Sequence, residues 1–213
     1  TRRSSDLNFW MDVLRSAAIL GVVMAISHMF EQHILIFSDI DVVTSSIILM
    51  VEYLVSIAIF IWLLYRFTRN VARNWNDMVE LADGRVIEIK FTYSRALSYI
   101  LLVSMLAGLV VGVANTIFID IKGFDAYVVG IFSRLYEVRD LVASASDAAS
   151  EASVAELNKT INEYVEAWES VSRPSMFSNI LSHMSNHMFS GGFVGLLIAY
   201  LSRRNIKKNN VNE

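Results

Sequence analysis

Apolar residues are concentrated in four long runs of the chain, at about 10–37, 45–65, 96–119 and 176–201. Each run has roughly 20 residues or slightly more, enough for a helix rising about 1.5 Å per residue to cross about 30 Å of hydrocarbon. The 54% content of hydrophobic residues and the positive mean hydropathy are also typical of a membrane protein. The pattern therefore predicts an all-α polytopic membrane protein with a four-transmembrane-helix bundle.

The first run begins after two basic residues and contains small residues at Ala25 and Ser27, as a signal peptide would. We favour a spanning helix, because the run reaches the spanning length and further hydrophobic runs follow it.

Lys and Arg residues are segregated along the chain, and this segregation predicts the orientation. Most of them precede or enter the first run, lie in the connection 66–95, or follow the fourth run. Only Lys122, Arg134, Arg139, Lys159 and Arg173 fall on the other side. Because cytoplasmic loops are enriched in Lys and Arg, we expect both termini, including the tail 205–213, to be cytoplasmic.

The connections between the runs predict further elements. The short acidic segment 38–44 joins the first two runs as a tight antiparallel hairpin. In the connection 66–95, a basic continuation of the second helix is expected up to the turn signal Asp83–Gly84, followed by one short extended segment from Arg85 to Tyr93. This connection is either a docking edge for a cytoplasmic partner or a solvated linker held by phospholipid headgroups.

The segment 122–173 predicts an extracytoplasmic antiparallel helical hairpin between the third and fourth spans. Apolar residues recur every three or four positions in each half, at Val128, Ile131, Leu135, Val138 and Val142, and at Val154, Leu157, Ile161, Tyr164, Trp168 and Val171. The run SASDAAS forms the tip, Gly123 separates the hairpin from the third span, and Pro174 fits the first turn of the fourth. The hairpin is either a structural cap or a surface that recognises a partner or a second copy.

Small and polar residues form a stripe at helical spacing in every span, which predicts the interior of one bundle. The pairs Gly108/Gly112 and Gly191/Gly195 have the GxxxG spacing, which we interpret as close helix packing. The polar members of the stripes are concentrated in the outer half of the bundle and include Glu31, Asn115, Asn179 and Asn186.

Four ionisable side chains of these stripes form a candidate site, namely His28, Glu52, His183 and His187. His183 and His187 are one helical turn apart, so two imidazoles can bind one ion. One hypothesis is a divalent metal site, for example for zinc, and another is a proton or solute relay. The third is a set of buried hydrogen-bonded side chains that stabilise the bundle, since a lone carboxylate in hydrocarbon is costly.

Motifs that would name a familiar reaction are missing from the sequence. The chain has no cysteine, and it contains no phosphate-binding loop, dinucleotide fingerprint, nucleophile elbow or HExxH. The basic residues lie at membrane edges and form no patch interleaved with aromatic residues, so no nucleic-acid partner is expected.

The segments FTYSRALSYILLVSMLAGLV and SGGFVGLLIAYLSRR, together with the four-span arrangement, resemble a small bacterial integral membrane family known only as a domain of unknown function. The resemblance covers nearly the whole chain. It implies this topology and a bacterial inner-membrane setting, and it assigns no catalytic residues.

These observations favour a non-enzymatic inner-membrane scaffold or accessory subunit, which holds partner proteins through its external hairpin and its basic cytoplasmic loop. The alternative is a small transporter, or a protein that handles metal ions or protons, using the polar layer. A third reading is an enzyme acting on lipid or polyprenyl substrates at the outer leaflet.

Overall fold

The computed structural model describes residues 2–75, 77–80, 86–89, 91–144, 148–170 and 175–202. Within these residues the chain is helical apart from one small ribbon of two strands. The helices are α1 (Arg2–Gln32), which continues into a π-helical turn (His33–Phe37), α2 (Val42–Asn74), α3 (Tyr93–Lys122), α4 (Phe124–Ala143), α5 (Ala148–Ser170) and α6 (Met176–Ser202), and the strands are β1 (Asp77–Glu80) and β2 (Val86–Ile89).

Three helices of the described chain are long and apolar enough to cross a membrane. They are Asn8–Phe37, Val42–Asn74 and Tyr93–Lys122, which correspond to the first three runs of the sequence. Helix α6 has a spanning length of 27 residues. It is not among the three, because Asn179, His183, Asn186 and His187 in its first half lower its mean hydropathy.

Helix α3 lies at the centre of the bundle and packs against α1 and α6. Half of its apolar window is buried, compared with 17% for α2, so α2 is the peripheral helix. A Cβ atom at Gly108 would lie 2.5 Å from the carbonyl oxygen of His183, and one at Gly112 would lie 2.7 Å from Cα of Ile180. The absence of these side chains lets the α3 and α6 backbones touch.

The reciprocal glycines of α6 also face α3. A Cβ at Gly195 would lie 2.9 Å from the side chain of Ile100, and one at Gly191 would overlap Ser104. Residue numbers thus rise along α3 as they fall along α6, so the two helices are antiparallel. Both GxxxG pairs lie in this interface, as their spacing predicts.

Helix α1 runs parallel to α3 on the other side. A Cβ at Gly21 would lie 2.7 Å from Cβ of Val110, and the buried Tyr99 hydroxyl donates a 2.7 Å hydrogen bond to Ser16 Oγ. Helix α2 then returns antiparallel to α1, beginning at Asp41, whose carboxylate accepts hydrogen bonds from the backbone N–H groups of Thr44 and Val43. These bonds satisfy donors of the first helical turn, and they lower the pKa of Asp41.

An aromatic cluster closes the end of the bundle at which α1 starts and α2 ends, here called the basic end. Phe9 packs edge-on against Trp75 and Tyr99, at ring-centroid distances of 6.2 and 6.0 Å. Trp75 and Phe91, which flank the β-ribbon, are 5.5 Å apart, and the Arg95 guanidinium lies 5.0 Å from the Trp75 ring centroid. The cluster ties the connection between α2 and α3 to the bundle.

The ribbon corrects two predictions about this connection. Helix α2 ends at Asn74, before the expected turn at Asp83–Gly84, which lies outside the described residues. The chain then forms two strands instead of one extended segment, paired antiparallel with Asp77 opposite Ile89 and Glu80 opposite Val86. The pairing has a physical reason, because a lone strand leaves its backbone donors and acceptors unsatisfied.

Helices α4 and α5 follow α3 and contact each other. Gly123 separates α3 from α4 with a φ of 88°, a conformation that favours glycine. In the apolar seam predicted for α5, the Ile161 side chain is almost fully buried. Tyr164, which was predicted to belong to the same seam, is 54% exposed. The Trp168 side chain, Val171 and Pro174 lie outside the described residues.

Candidate functional site

The predicted polar residues come together at the end of the bundle opposite the basic end. We call this group the polar layer, and it comprises Ser27, His28, Glu31, Glu52, Ser56, Asn115, Asn179, His183, Asn186, His187 and Ser190. All four bundle helices contribute to it, because each carries its polar stripe on the face turned toward the others.

Glu52 is bound by two serine hydroxyls. Ser56, one turn further along α2, donates to Glu52 Oε1 over 2.7 Å, and Ser27 of α1 donates to the same oxygen. The two serine hydroxyls also contact each other. This cluster links α1 to α2 inside the apolar region, and it gives the carboxyl group two serine partners.

The histidines lie side by side across α1 and α6. The ring centroids of His28 and His183 are 5.1 Å apart, and those of His183 and His187 are 6.4 Å apart. His187 Nδ1 lies 3.0 Å from the carbonyl oxygen of His183, so this nitrogen carries a proton. His28 Nδ1 lies 3.4 Å from Glu31 Oε2, three residues further along α1.

Asn115 of α3 joins the layer to the first turn of α6. Its amide nitrogen donates to His183 Nε2 over 3.2 Å and lies 3.4 Å from Asn179 Oδ1. Asn179 in turn donates to Thr116 Oγ1 over 2.9 Å. His183 is thereby bound to α3, and this part of the layer is hydrogen-bonded packing.

A cavity of about 250 Å³ opens among α1, α2 and α6 beside the histidines. Its polar lining consists of Ser27, His28, Glu31, Glu52, Ser56, Asn186, His187 and Ser190. On the other side of the serine–glutamate cluster, an apolar groove of about 550 Å³ runs between α1 and α2. Because Ser27, Glu52 and Ser56 line both spaces, they separate a polar cavity from an apolar surface.

The layer is not arranged as a metal centre. Among the residues that the structure describes, no group of three or more His, Cys, Asp or Glu side chains is placed to hold one metal ion. Within the predicted set, His183 is bound to Asn115 and Glu52 is bound to serines, while His28, Glu52 and His187 share the cavity.

Sequence reasoning missed the most buried charged side chain of α4, Arg134, which is 7% exposed. Its guanidinium donates to the carbonyl oxygens of Leu35 at 2.8 Å, Ile40 at 2.6 Å and Ser38 at 2.5 Å. It also forms a 2.7 Å ion pair with Glu137. We call this set of contacts the Arg134 anchor.

The anchor joins α4 to the connection between α1 and α2. Gly130, one turn earlier on α4, allows the close approach, since a Cβ there would lie 2.6 Å from the carbonyl oxygen of Ile36. A signal was present in the sequence, because Arg134 lies three residues after Ile131 and four before Val138, on the apolar face of its helix.

No protein-family model, curated protein or solved structure matches this chain. The family resemblance drawn from the sequence therefore stays a prediction, and any function has to be argued from the geometry.

Proposed function

We propose that the protein is a non-enzymatic scaffold or accessory subunit of the bacterial inner membrane. Four spans, with both termini in the cytoplasm, hold the α4–α5 pair at the outer surface, where it binds a partner protein. The basic connection after α2 offers a second surface, on the cytoplasmic side.

The Arg134 anchor is the observation that carries this proposal. A flexible external loop needs no buried guanidinium, whereas here one arginine donates hydrogen bonds to four backbone carbonyl oxygens of residues 34–40. Hydrogen bonds to a charged donor contribute about 1.5–3 kcal/mol each. The anchor therefore supports a helix held in a fixed position, which lowers the entropy cost of presenting a binding surface.

The exposed side of α5 is acidic and suits a partner with basic residues. Glu156, Glu163 and Glu166 are exposed, and the first two are seven residues, or about two helical turns, apart. The basic residue between Glu156 and Glu163 is Lys159, whose Nζ lies 3.8 Å from Glu163 Oε1. Such a charge pattern contributes mainly to the rate and specificity of association.

The position of α6 supports the fourth span. Helix α6 lies antiparallel along α3, from the contact of Ile180 with Gly112 to that of Gly195 with Ile100. A helix packed along a spanning helix in this way crosses the same layer. Its Asn and His side chains bond to α3 or line the cavity, so the lower hydropathy of α6 is compatible with a membrane.

Co-purification from native membranes in a gentle detergent tests the scaffold. We expect the tagged chain to retain a protein partner near one-to-one, and expect a variant with Glu156→Lys, Glu163→Lys and Glu166→Lys to lose it. Lys159→Glu, on the same helix, is the matched control and should keep the partner. Recovery of the chain alone, or equal retention by the triple variant, would contradict the proposal.

A second candidate function is favoured by the polar cavity, namely binding or passage of protons or a small polar solute. Two carboxyl groups and two imidazoles around a space of about 250 Å³ are costly in hydrocarbon and are often functional there. Proteoliposomes that contain a pH-sensitive dye test it. Proton flux should fall in Glu52→Gln and persist in Glu163→Gln, whose carboxyl group lies outside the bundle; flux no faster than in empty liposomes would exclude proton passage.

A further inference from the structure

A cavity of about 370 Å³ lies at the basic end, between the first half of α1 and the last half of α2. It is separate from the polar layer, at the opposite end of the same helices. Its charged lining residues are Asp12, Arg15 and Arg66, and Asn70 and Asn74 add amide groups.

The two arginines of this cavity have no carboxylate partner within the described chain. Arg66 lies over the Trp62 ring at 5.1 Å from its centroid, and neither arginine forms an ion pair with a carboxylate of the residues that the structure describes. Other arginines of the described chain do have such partners, as Arg134 and Arg139 show. Two guanidinium groups on neighbouring helices are thus available to an anion.

The cavity lies at the depth expected for lipid headgroups. The apolar run of α2 gives way to basic residues at Arg66, and the exposed Trp10 and Trp62 occur near this end of α1 and α2. Tryptophan side chains are enriched at the level of the headgroups. Ile19, 43% exposed, lines the cavity on the side of the hydrocarbon, where an acyl chain would lie.

We infer that this cavity binds the headgroup of a phospholipid that carries a primary ammonium group. The phosphate oxygens accept hydrogen bonds from Arg15 and Arg66, whose planar donors match phosphate geometry. The ammonium pairs with Asp12. A headgroup with only a negative charge would place a phosphate near the Asp12 carboxylate with no positive group between them, and the two negative charges would repel each other. The charges of the cavity therefore favour a zwitterionic headgroup that carries both a phosphate and an ammonium.

Lipid retention measured by native mass spectrometry tests this site. The full chain is reconstituted in nanodiscs made of equal parts phosphatidylethanolamine and phosphatidylglycerol. The protein is then released from the nanodiscs in the mass spectrometer, and the lipid molecules that stay bound to it are identified and counted. We expect phosphatidylethanolamine to be retained preferentially, and expect Arg15→Gln and Arg66→Gln each to reduce retention roughly fivefold. Arg69→Gln is the matched control, because Arg69 lies on α2 outside the cavity and stacks on Tyr65.

Asp12→Asn tests the ammonium contact separately, and it should shift the preference toward phosphatidylglycerol. Retention by the Arg15 and Arg66 variants equal to that of Arg69→Gln would overturn the site. Displacement of the lipid by millimolar inorganic phosphate would show a site for free phosphate instead, and an unchanged lipid preference in Asp12→Asn would overturn the role of the ammonium group. Since Asp12, Arg15 and Arg66 are all exposed, the substitutions should leave the melting temperature within about 2 °C of the wild type, in keeping with the small effect of most surface changes.

Discussion

Arg134 connects α4 to the bundle through hydrogen bonds that its guanidinium group donates to backbone carbonyl oxygens. Replacing it with Gln removes most of the donors that satisfy the carbonyl groups of Leu35, Ser38 and Ile40. We predict that Arg134→Gln lowers the free energy of unfolding by roughly 2–4 kcal/mol, because buried acceptors are left unpaired. Thermal unfolding in detergent measures this loss.

Arg139→Gln on the same helix is the control for that prediction. Arg139 pairs with the neighbouring Asp140 and lies over the Tyr136 ring, both at the surface, so its removal should cost about 1 kcal/mol or less. Hydrogen exchange should also rise in the connection 38–41 of Arg134→Gln alone. Equal effects of the two substitutions would show that the anchor does not hold α4.

Two glycines, Gly108 of α3 and Gly192 of α6, provide a second prediction. At Gly108 an added methyl group would meet backbone atoms of His183 and Met184 at 2.5 and 2.8 Å, which cannot move aside cheaply. At Gly192 it would meet only the end of the Leu101 side chain, at 3.2 Å. We expect Gly108→Ala to lower the melting temperature clearly, with a cost of about 1–3 kcal/mol, and Gly192→Ala to change it little. Similar melting temperatures for the two variants would contradict the close packing of α3 and α6.

At this scale the sequence predicted which residues share the polar layer but not how they pair. His28, Glu52 and His187 line one cavity because the rise of a helix fixes the depth of each residue from the basic ends of the spans. The pairing of Glu52 with Ser27, and of His183 with Asn115, depends on how each helix rotates about its axis. That rotation is set by packing between helices, which a single sequence does not reveal.

In the proposed topology α6 crosses the membrane, so its two ends lie on opposite sides of the bilayer. The chain contains no cysteine, so single cysteines report their side of the membrane without further engineering. We expect Met176→Cys to react with a membrane-impermeant maleimide in intact cells, and Asn205→Cys to react only after permeabilisation. Labelling of both positions from the same side would show that α6 does not span.

The elements predicted best are those with a long continuous pattern. The first three runs correspond to helices long and apolar enough to span, and the extended segment after Arg85 contains β2. The hydrophobic pattern gave a wrong prediction for residues 77–80, which were expected to be helical. They form a strand instead, because backbone hydrogen bonds to β2 decide their structure. Helix α2 also begins earlier than the apolar run at 45, at Val42, where the Asp41 side chain caps the first turn.

The whole molecule has two chemically different ends joined by one bundle. The basic end carries exposed arginines, the aromatic cluster and the inferred lipid cavity, and at the other end the Arg134 anchor holds α4 close to the polar layer. This arrangement fits a protein that is fixed in the bilayer at one surface and presents α4 and α5 at the other. The composition predicted the membrane class, while the Arg134 anchor, which joins α4 to the connection between α1 and α2, came only from the structure.

Site-specific photo-crosslinking from α5 tests the scaffold most directly. Tyr164 is 54% exposed and is one residue from Glu163, so a photoreactive phenylalanine analogue at position 164 lies beside the proposed binding surface. Irradiation of native membranes should give one discrete adduct with a second protein, identified by mass spectrometry and lost in the triple Glu→Lys variant. Adducts with lipid alone, or a protein adduct that persists in the triple variant, would contradict the account.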